Sequence, residues 1–137
     1  MELGLSGRTA VITGGSKGIG RAIARGLAKE GVKPVLIARN AEALEKTAED
    51  IRQESGVSVV AAKADISSTE QVDAAAKAAK DAFGTVHIVV NNAGGPMRRM
   101  DRQILWPHAD WIGDLDNKIL GALRVTRAFL PLMPSDG

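Results

Sequence analysis

The stretch TAVITGGSKGIGRAIARGLAKEG, Thr9 to Gly31, decides the fold. Its first five residues, Thr9–Thr13, are apolar and β-branched and read as a buried strand. Ile19, Ala22, Ile23 and Leu27 then recur at helical spacing, and Gly31 is placed to stop that helix. Between strand and helix, Gly14, Gly15, Gly18 and Gly20 crowd into one turn. Glycine is costly to order, so bare backbone is needed there. A turn between a strand and a helix offers a phosphate unpaired N–H groups and the positive end of the helix dipole. Gly14 suits the tight turn, Gly18 a close backbone approach to a pyrophosphate, and Gly20 close helix–strand packing. Ser16 adds a hydroxyl, Lys17 a charge, and Ile19 lies between the last two glycines. A plain turn before a helix is the competing reading. The strand before and the helix after favour a dinucleotide site.

Outward from this stretch the chain alternates. Pro34–Ala38 is a second apolar run, and Leu44, Ala48 and Ile51 share one helical face, with Asn40 as N-cap and Gly56 beyond the end. Val57–Ala64 predicts a third strand. Ser68 and Gln71 have capping-box spacing before a helix whose face is Val72, Ala75, Ala76, Ala79 and Phe83, ending at Gly84. Val86–Val90 predicts a fourth strand, followed by an irregular segment from Gly94 to about Ala109. A last helix is expected from about Asp110 to Leu130, with Trp111, Leu115, Ile119, Ala122 and Thr126 on one stripe and Pro131 and Pro134 ending it. Apolar strands alternating with helices imply an α/β protein, a doubly wound parallel sheet ordered 3-2-1-4.

The end of the second strand selects the nucleotide. A carboxylate there would bond a ribose 2′-hydroxyl and repel a 2′-phosphate. The sequence has Arg39 and Asn40 instead. Arg39 offers a bidentate fork and Lys17 a second charge, so NADP(H) is favoured over NAD(H). A solvated loop arginine is the plainer alternative. Asp65, at the end of the third strand, suits an adenine-edge acceptor or, equally on spacing, a turn aspartate. Asn91 to Gly95 places amides and flexible backbone at the carboxyl edge of the sheet, as a ligand site or an Asn-Gly turn.

The bulk properties narrow the partners. With 137 residues, 45% hydrophobic and 25% charged, the chain matches one globular domain. A net charge of +2 with mixed signs does not indicate nucleic acid or membrane. No cysteine is present, which excludes thiolate metal sites, and no metal is expected. No apolar run approaches the roughly 20 residues of a membrane span. A cytoplasmic location is expected.

Taken together, Thr13, Gly14, Gly18 and Gly20, then Arg39, then Asp65, then Asn91-Asn92-Ala93-Gly94, and finally RAFLPLM, Arg127 to Met133, resemble the short-chain dehydrogenase/reductase family. The resemblance runs from Gly7 to about Met133. It implies a Rossmann fold and hydride transfer between a nicotinamide and a carbonyl or alcohol. It further implies that Asn91, Ala93 and Gly94 border the cofactor ribose, and that Asp65 and Ile66 flank the adenine.

Three departures from the family pattern stand out. His87 occupies a position usually held by Asp, which puts a local structural contact in question; His87 reads as a packing or edge residue, and His108 as exposed. Spacing from Trp111 and Pro131 puts Lys118, rather than its neighbour Asn117, where the family carries a catalytic Asn. A helix-surface lysine is the plainer reading, and no catalytic residue is assigned. The family's Ser and Tyr-x-x-x-Lys lie beyond the matched segment, and the 137 residues contain no tyrosine.

The chain is therefore expected to be the N-terminal, cofactor-binding part of one Rossmann domain over residues 1–137, stopping where a fifth strand would start and lacking the catalytic part. Such a piece is expected to be inactive alone within an NADP(H)-dependent oxidoreductase. A short non-catalytic nucleotide-binding or partner-binding protein is the alternative. Arg98, Arg99 and Arg102 border the expected substrate side, where they meet an anion or simply solvent. An open edge on the fourth strand and the family's habits imply a homo-oligomer.

Overall fold

The computed structural model describes residues 3–94 and 103–135. Its centre is a four-stranded parallel sheet in the order β3-β2-β1-β4, the order read from the sequence. The strands are β1 (Thr9–Thr13), β2 (Lys33–Ala38), β3 (Val60–Lys63) and β4 (Ile88–Val90). Every residue of β1 is buried, because helices cover both faces. Alternate side chains divide between those faces. Ala10, Ile12 and Leu36 join one cluster with Ala24, Leu44, Ala48 and Ile51; Val11, Val35 and Ile37 join the other with Val72, Ala79, Val125 and Phe129.

Helices α1 (Gly18–Lys29) and α2 (Ala41–Ser55) cover the first face, and α3 (Thr69–Phe83) and the last helical stretch cover the second. That last stretch is not one helix. It comprises α4 (His108–Leu115), a π-helical turn (Asp116–Leu120) and α5 (Gly121–Phe129), closed by a short 3-10 turn (Leu130–Leu132). Within the π-helical segment the Gly121 N–H reaches back to the Asp116 carbonyl, one residue further than in an α-helix.

The expected stripe is not the buried face. The side chains α5 buries are Val125 and Phe129, in line with Gly121, whereas Leu115 and Ile119 are exposed and so is Thr126. The large apolar residues of the expected stripe therefore do not mark the packed face, and α4 itself buries none of its residues. The expected face of α1 is also displaced. Its buried residues are Gly20, Ala24 and Ala28, with Ile23 and Leu27 packed at their flank and Ala22 exposed. The helix approaches the sheet through its smallest side chains, so the larger ones straddle the contact.

The strands are shorter than expected at two places. Before β3, the Val59 carbonyl is held by the Arg52 guanidinium at 2.8 Å. Before β4, the Val86 N–H goes to the Leu132 carbonyl, and His87 exchanges two hydrogen bonds with Thr9. The Thr9 N–H donates to His87 Nδ1 at 3.1 Å while the His87 N–H donates to the Thr9 carbonyl at 2.9 Å. The side chain placed at this position thus completes the local contact that its identity had put in question. His108 is exposed, as expected. Among the described residues no helix is long and apolar enough to cross a membrane.

Candidate functional site

The site grows from the end of β1. The N–H groups of Gly14 and Gly15 both donate to the Ile37 carbonyl, at 2.8 and 3.3 Å, which folds the turn across the end of β2. Gly14 has φ +67°, and a Cβ there would lie 2.8 Å from Asn92 Nδ2. At Gly20 a Cβ would collide with the Gly14 carbonyl and sit 2.6 Å from the same Asn92 nitrogen. These two glycines are therefore packing requirements of the turn. Gly18 differs: it has φ +55°, but nothing lies within 4 Å of where its Cβ would be. Its bare backbone faces open space, as a pyrophosphate seat requires.

Helix α1 begins without a cap. Lys17 is extended at the N-cap position and makes no side-chain hydrogen bond there, and the first turn holds no acidic residue. The loop above is fixed from behind, because buried Thr47 of α2 donates its hydroxyl to the Ser16 carbonyl at 3.0 Å.

A second loop, after β4, is tied to the first by Thr13. The Thr13 hydroxyl accepts the N–H groups of Asn92 and Ala93, at 3.0 and 2.9 Å, and donates to the Val90 carbonyl at 3.4 Å. Asn92 returns a bond from its side-chain amide to the Thr13 carbonyl at 3.1 Å. One hydroxyl thus locks the ends of two neighbouring strands in register.

A third wall follows β3. Asp65 Oδ1 accepts both the Ser67 N–H at 2.9 Å and the Ser67 hydroxyl at 2.7 Å. Those two bonds hold the Asp65 carboxyl below the usual carboxylate range, with a smaller contribution from the positive charges of Arg39 and Arg124. The turn role weighed in the sequence is therefore filled by Oδ1, while the residue still lines the cleft. Gln71 gives half of the capping box: its N–H meets Ser68 Oγ at 3.3 Å, but its side chain accepts from the Asp65 N–H instead.

These walls enclose a cleft of about 890 Å³ at the carboxyl ends of the strands. That volume is large enough for a dinucleotide and lies where ligands bind in open α/β sheets. Of the expected residues, Gly14, Ser16, Lys17, Gly18, Ile19, Arg39, Asn40, Asp65, Ile66, Ala93 and Gly94 line it. Ile19 is 74% exposed, an apolar side chain at the mouth rather than in the core. Gly20 stands behind the lining as a packing residue. Asn40 spends its side-chain oxygen on its own helix, accepting the Ala43 N–H at 2.9 Å.

Asn91 is not part of the lining. Its amide donates to Thr126 Oγ1 at 3.1 Å, joining β4 to α5, and the neighbouring Asn92 lines the cleft instead. Similarly, Lys118 is ion-paired with Asp114 at 2.9 Å on the helix exterior, and Asn117 lines the cleft. Thr47 is not among the residues the sequence singles out, Asn92 enters there only within its motif, and Asn117 is set aside in favour of Lys118. A polar residue inside an apolar helical face was the available signal for Thr47. Arg98, Arg99 and Arg102 lie outside the described residues.

Comparison with known proteins agrees with this geometry. The short chain dehydrogenase family model matches residues 8–137. An uncharacterized oxidoreductase of Staphylococcus aureus (strain USA300) is 39% identical over 131 residues, covering 94% of this chain and 54% of the relative. L-Sorbose reductase from Gluconobacter frateurii, solved with NADPH and L-sorbose, superposes with a TM-score of 0.84 at 37% identity, covering 96% of this chain and 49% of that one. A short chain dehydrogenase/reductase from Burkholderia phymatum, solved with NAD, gives 0.82 at 35% identity, covering 97% and 46%. The chain spans about half the length of the curated relatives it matches. With the glycine turn, the Thr13-braced loops and the cleft between them in place, this chain belongs to the short-chain dehydrogenase family of oxidoreductases.

Proposed function

We propose that this chain carries the adenine-dinucleotide-binding part of an NADP(H)-dependent oxidoreductase that moves a hydride between a nicotinamide and a carbonyl or alcohol. The observation that carries the reading is the uncapped, acid-free start of α1, which opens at Gly18 into the cleft. An anion is the natural complement of such a helix end. Exposed Arg39 and Lys17 on the same cleft, with no carboxylate at the end of β2, support a phosphorylated ribose over a plain one. Similar proteins have been solved with NADPH and with NAD, so the choice rests on these two cations.

When bound, a nicotinamide supplies or accepts the hydride. This chain's residues hold the dinucleotide: amides of the glycine turn at the pyrophosphate, Asp65 and Ile66 at the adenine, and Ala93 and Gly94 at the ribose. The 137 residues contain no tyrosine to serve as a general acid of the family type. The chain alone therefore binds dinucleotide without reducing a carbonyl. Exposed Ile112, Leu115, Ile119 and Leu123 on the last helical stretch support association with a further apolar surface, as in a homo-oligomer.

Parallel titrations with NADPH and NADH test the reading, in the wild type and in Arg39→Glu. The wild type is expected to prefer NADPH by about tenfold or more, the size of one charge-assisted contact. Arg39→Glu is expected to lose or invert that preference. An unchanged preference removes Arg39 from the account, and failure to bind either dinucleotide removes the function.

A further inference from the structure

We propose that Arg124 is a positioning residue that fixes the adenine wall of the cleft against the π-helical turn carrying Asn117. The inference rests on the cofactor reading above. Arg124 Nη2 donates to Asp116 Oδ1 at 2.6 Å, and Nη1 is shared between Asp116 Oδ2 at 3.4 Å and the Ile66 carbonyl at 3.2 Å. One planar guanidinium therefore joins two segments 50 residues apart in sequence, Ile66 and Asp116. Ile66 lines the cleft, and Asp116 directly precedes Asn117, which lines it too.

The pair is also better shielded than the other described ion pairs taken as pairs. Its side chains are 21% and 31% exposed, against 42% and 40% for Arg25 with Glu54. Partial burial strengthens a charge-assisted bond, and the bidentate fork adds directionality. The contact acts where the backbone is least regular. Asp116 accepts the Gly121 N–H through its carbonyl and the guanidinium through its carboxylate, so both its ends are fixed. Ile66 is likewise held twice. Its carbonyl takes Arg124, and its side chain lies where a Cβ on Gly121 would come within 2.7 Å of Cδ1. Without Arg124 the loop after β3 keeps its internal Asp65–Ser67 bonds and the Ile66 side-chain packing but loses its hydrogen bond to the last helix. A lysine can meet the Asp116 carboxylate, but its point charge does not span the carboxylate and the carbonyl together.

The test measures dissociation constants of NADPH and of adenosine 2′,5′-bisphosphate by calorimetry, with Tm in parallel, for wild type, Arg124→Met, Arg124→Lys and Asp116→Asn. Arg124→Met is expected to weaken adenosine 2′,5′-bisphosphate by about tenfold, the equivalent of one charged hydrogen bond. Arg124→Lys recovers part of that loss. Adding Asp116→Asn to Arg124→Met weakens binding no further, because both act through one contact. A lower Tm with all dissociation constants within about twofold of wild type marks a merely structural contact and overturns the proposal. Should Arg124→Met fail to fold, Arg124→Lys and Asp116→Asn decide by the same criterion. A wild type that binds neither ligand overturns the cofactor reading and this role together; a wild type that binds, with variants that bind equally, overturns this role alone.

Discussion

Helices α2 and α3 start in one way and α1 in another. Asn40 caps α2 by accepting the Ala43 N–H, and Ser68 caps α3 by accepting the Gln71 N–H. Each also has an acidic residue in its first turn, Glu42 and Glu70. Those two helices satisfy their own N-terminal N–H groups and complement their dipoles from within. Helix α1 does neither, although its N-cap residue has the extended backbone that a capping side chain requires. The same chain thus caps two helix starts with its own side chains and leaves the third, the one at the glycine turn, without a side-chain cap. On the proposed function, the stability forgone at α1 is recovered when the cofactor's phosphates bind there.

The strongest way to break this comparison is to fill the turn. Gly20→Ala pushes a methyl group into the Gly14 carbonyl and the Asn92 amide, both backbone-anchored neighbours. Overpacking of that kind is expected to cost about 1–3 kcal/mol of stability. Gly18→Ala meets no neighbour, so only its positive φ is penalised, by about 1–2 kcal/mol. Equilibrium urea unfolding and NADPH titration separate the two. Gly20→Ala loses more stability, while Gly18→Ala loses more binding than its stability change accounts for. Equal binding by Gly18→Ala and wild type means that no phosphate approaches that backbone.

The comparison is sharpened by exchanging the two kinds of helix start. Lys17→Asp gives α1 a capping side-chain oxygen, as Asn40 and Ser68 give α2 and α3. It is expected to stabilise the unliganded protein by about 0.5–1 kcal/mol while weakening NADPH more than tenfold, since a fixed anion then occupies the dipole. Ser68→Ala does the reverse: it loses about 1 kcal/mol of stability and leaves NADPH affinity per folded molecule unchanged. Thermal unfolding with and without NADPH reads both. Undiminished NADPH binding by Lys17→Asp places the phosphates elsewhere.

How much of this was legible follows from what each signal measures. The sheet and its order were readable because β1 and β2 lie under helices on both faces, which leaves continuous apolar runs in the sequence. The glycine turn was readable because strand, glycines and helix occur together. The face of α1 was not, since periodicity ranks large apolar residues and this helix packs through Gly20, Ala24 and Ala28. The last helix misled for a different reason: Ile112, Leu115, Ile119 and Leu123 are large and apolar yet exposed, so hydrophobic periodicity does not mark its packed face. Lys118, the residue favoured by spacing, pairs with Asp114, while its neighbour Asn117 is the one at the cleft. Asn91 and Asn92 are adjacent and chemically identical, so only the strand register decides which one meets the Thr13 carbonyl and which one Thr126.

The smallest expected effect concerns the third wall, which like α2 and α3 satisfies itself. Asp65 is bonded by the Ser67 N–H and hydroxyl, and its folded pKa is lowered by them. A carboxyl whose folded pKa lies below its unfolded value contributes stability fully above the unfolded value. It loses that contribution as pH falls through the folded one. The wild type should therefore lose an increment of stability on acidification that Asp65→Asn lacks. Ser67→Ala should shrink the increment, because it deletes the hydroxyl bond and keeps the N–H bond. Asp65 is half-buried and its two bonds are local, so the difference is small, and Tm measured as a function of pH in low salt is the measurement that resolves it. Bound NADPH should leave the increment in place if Oδ1 stays on Ser67 in the complex. Its disappearance on binding would mean that the ligand takes Asp65 away from its turn, and that this wall, as proposed for the start of α1, is completed by the cofactor.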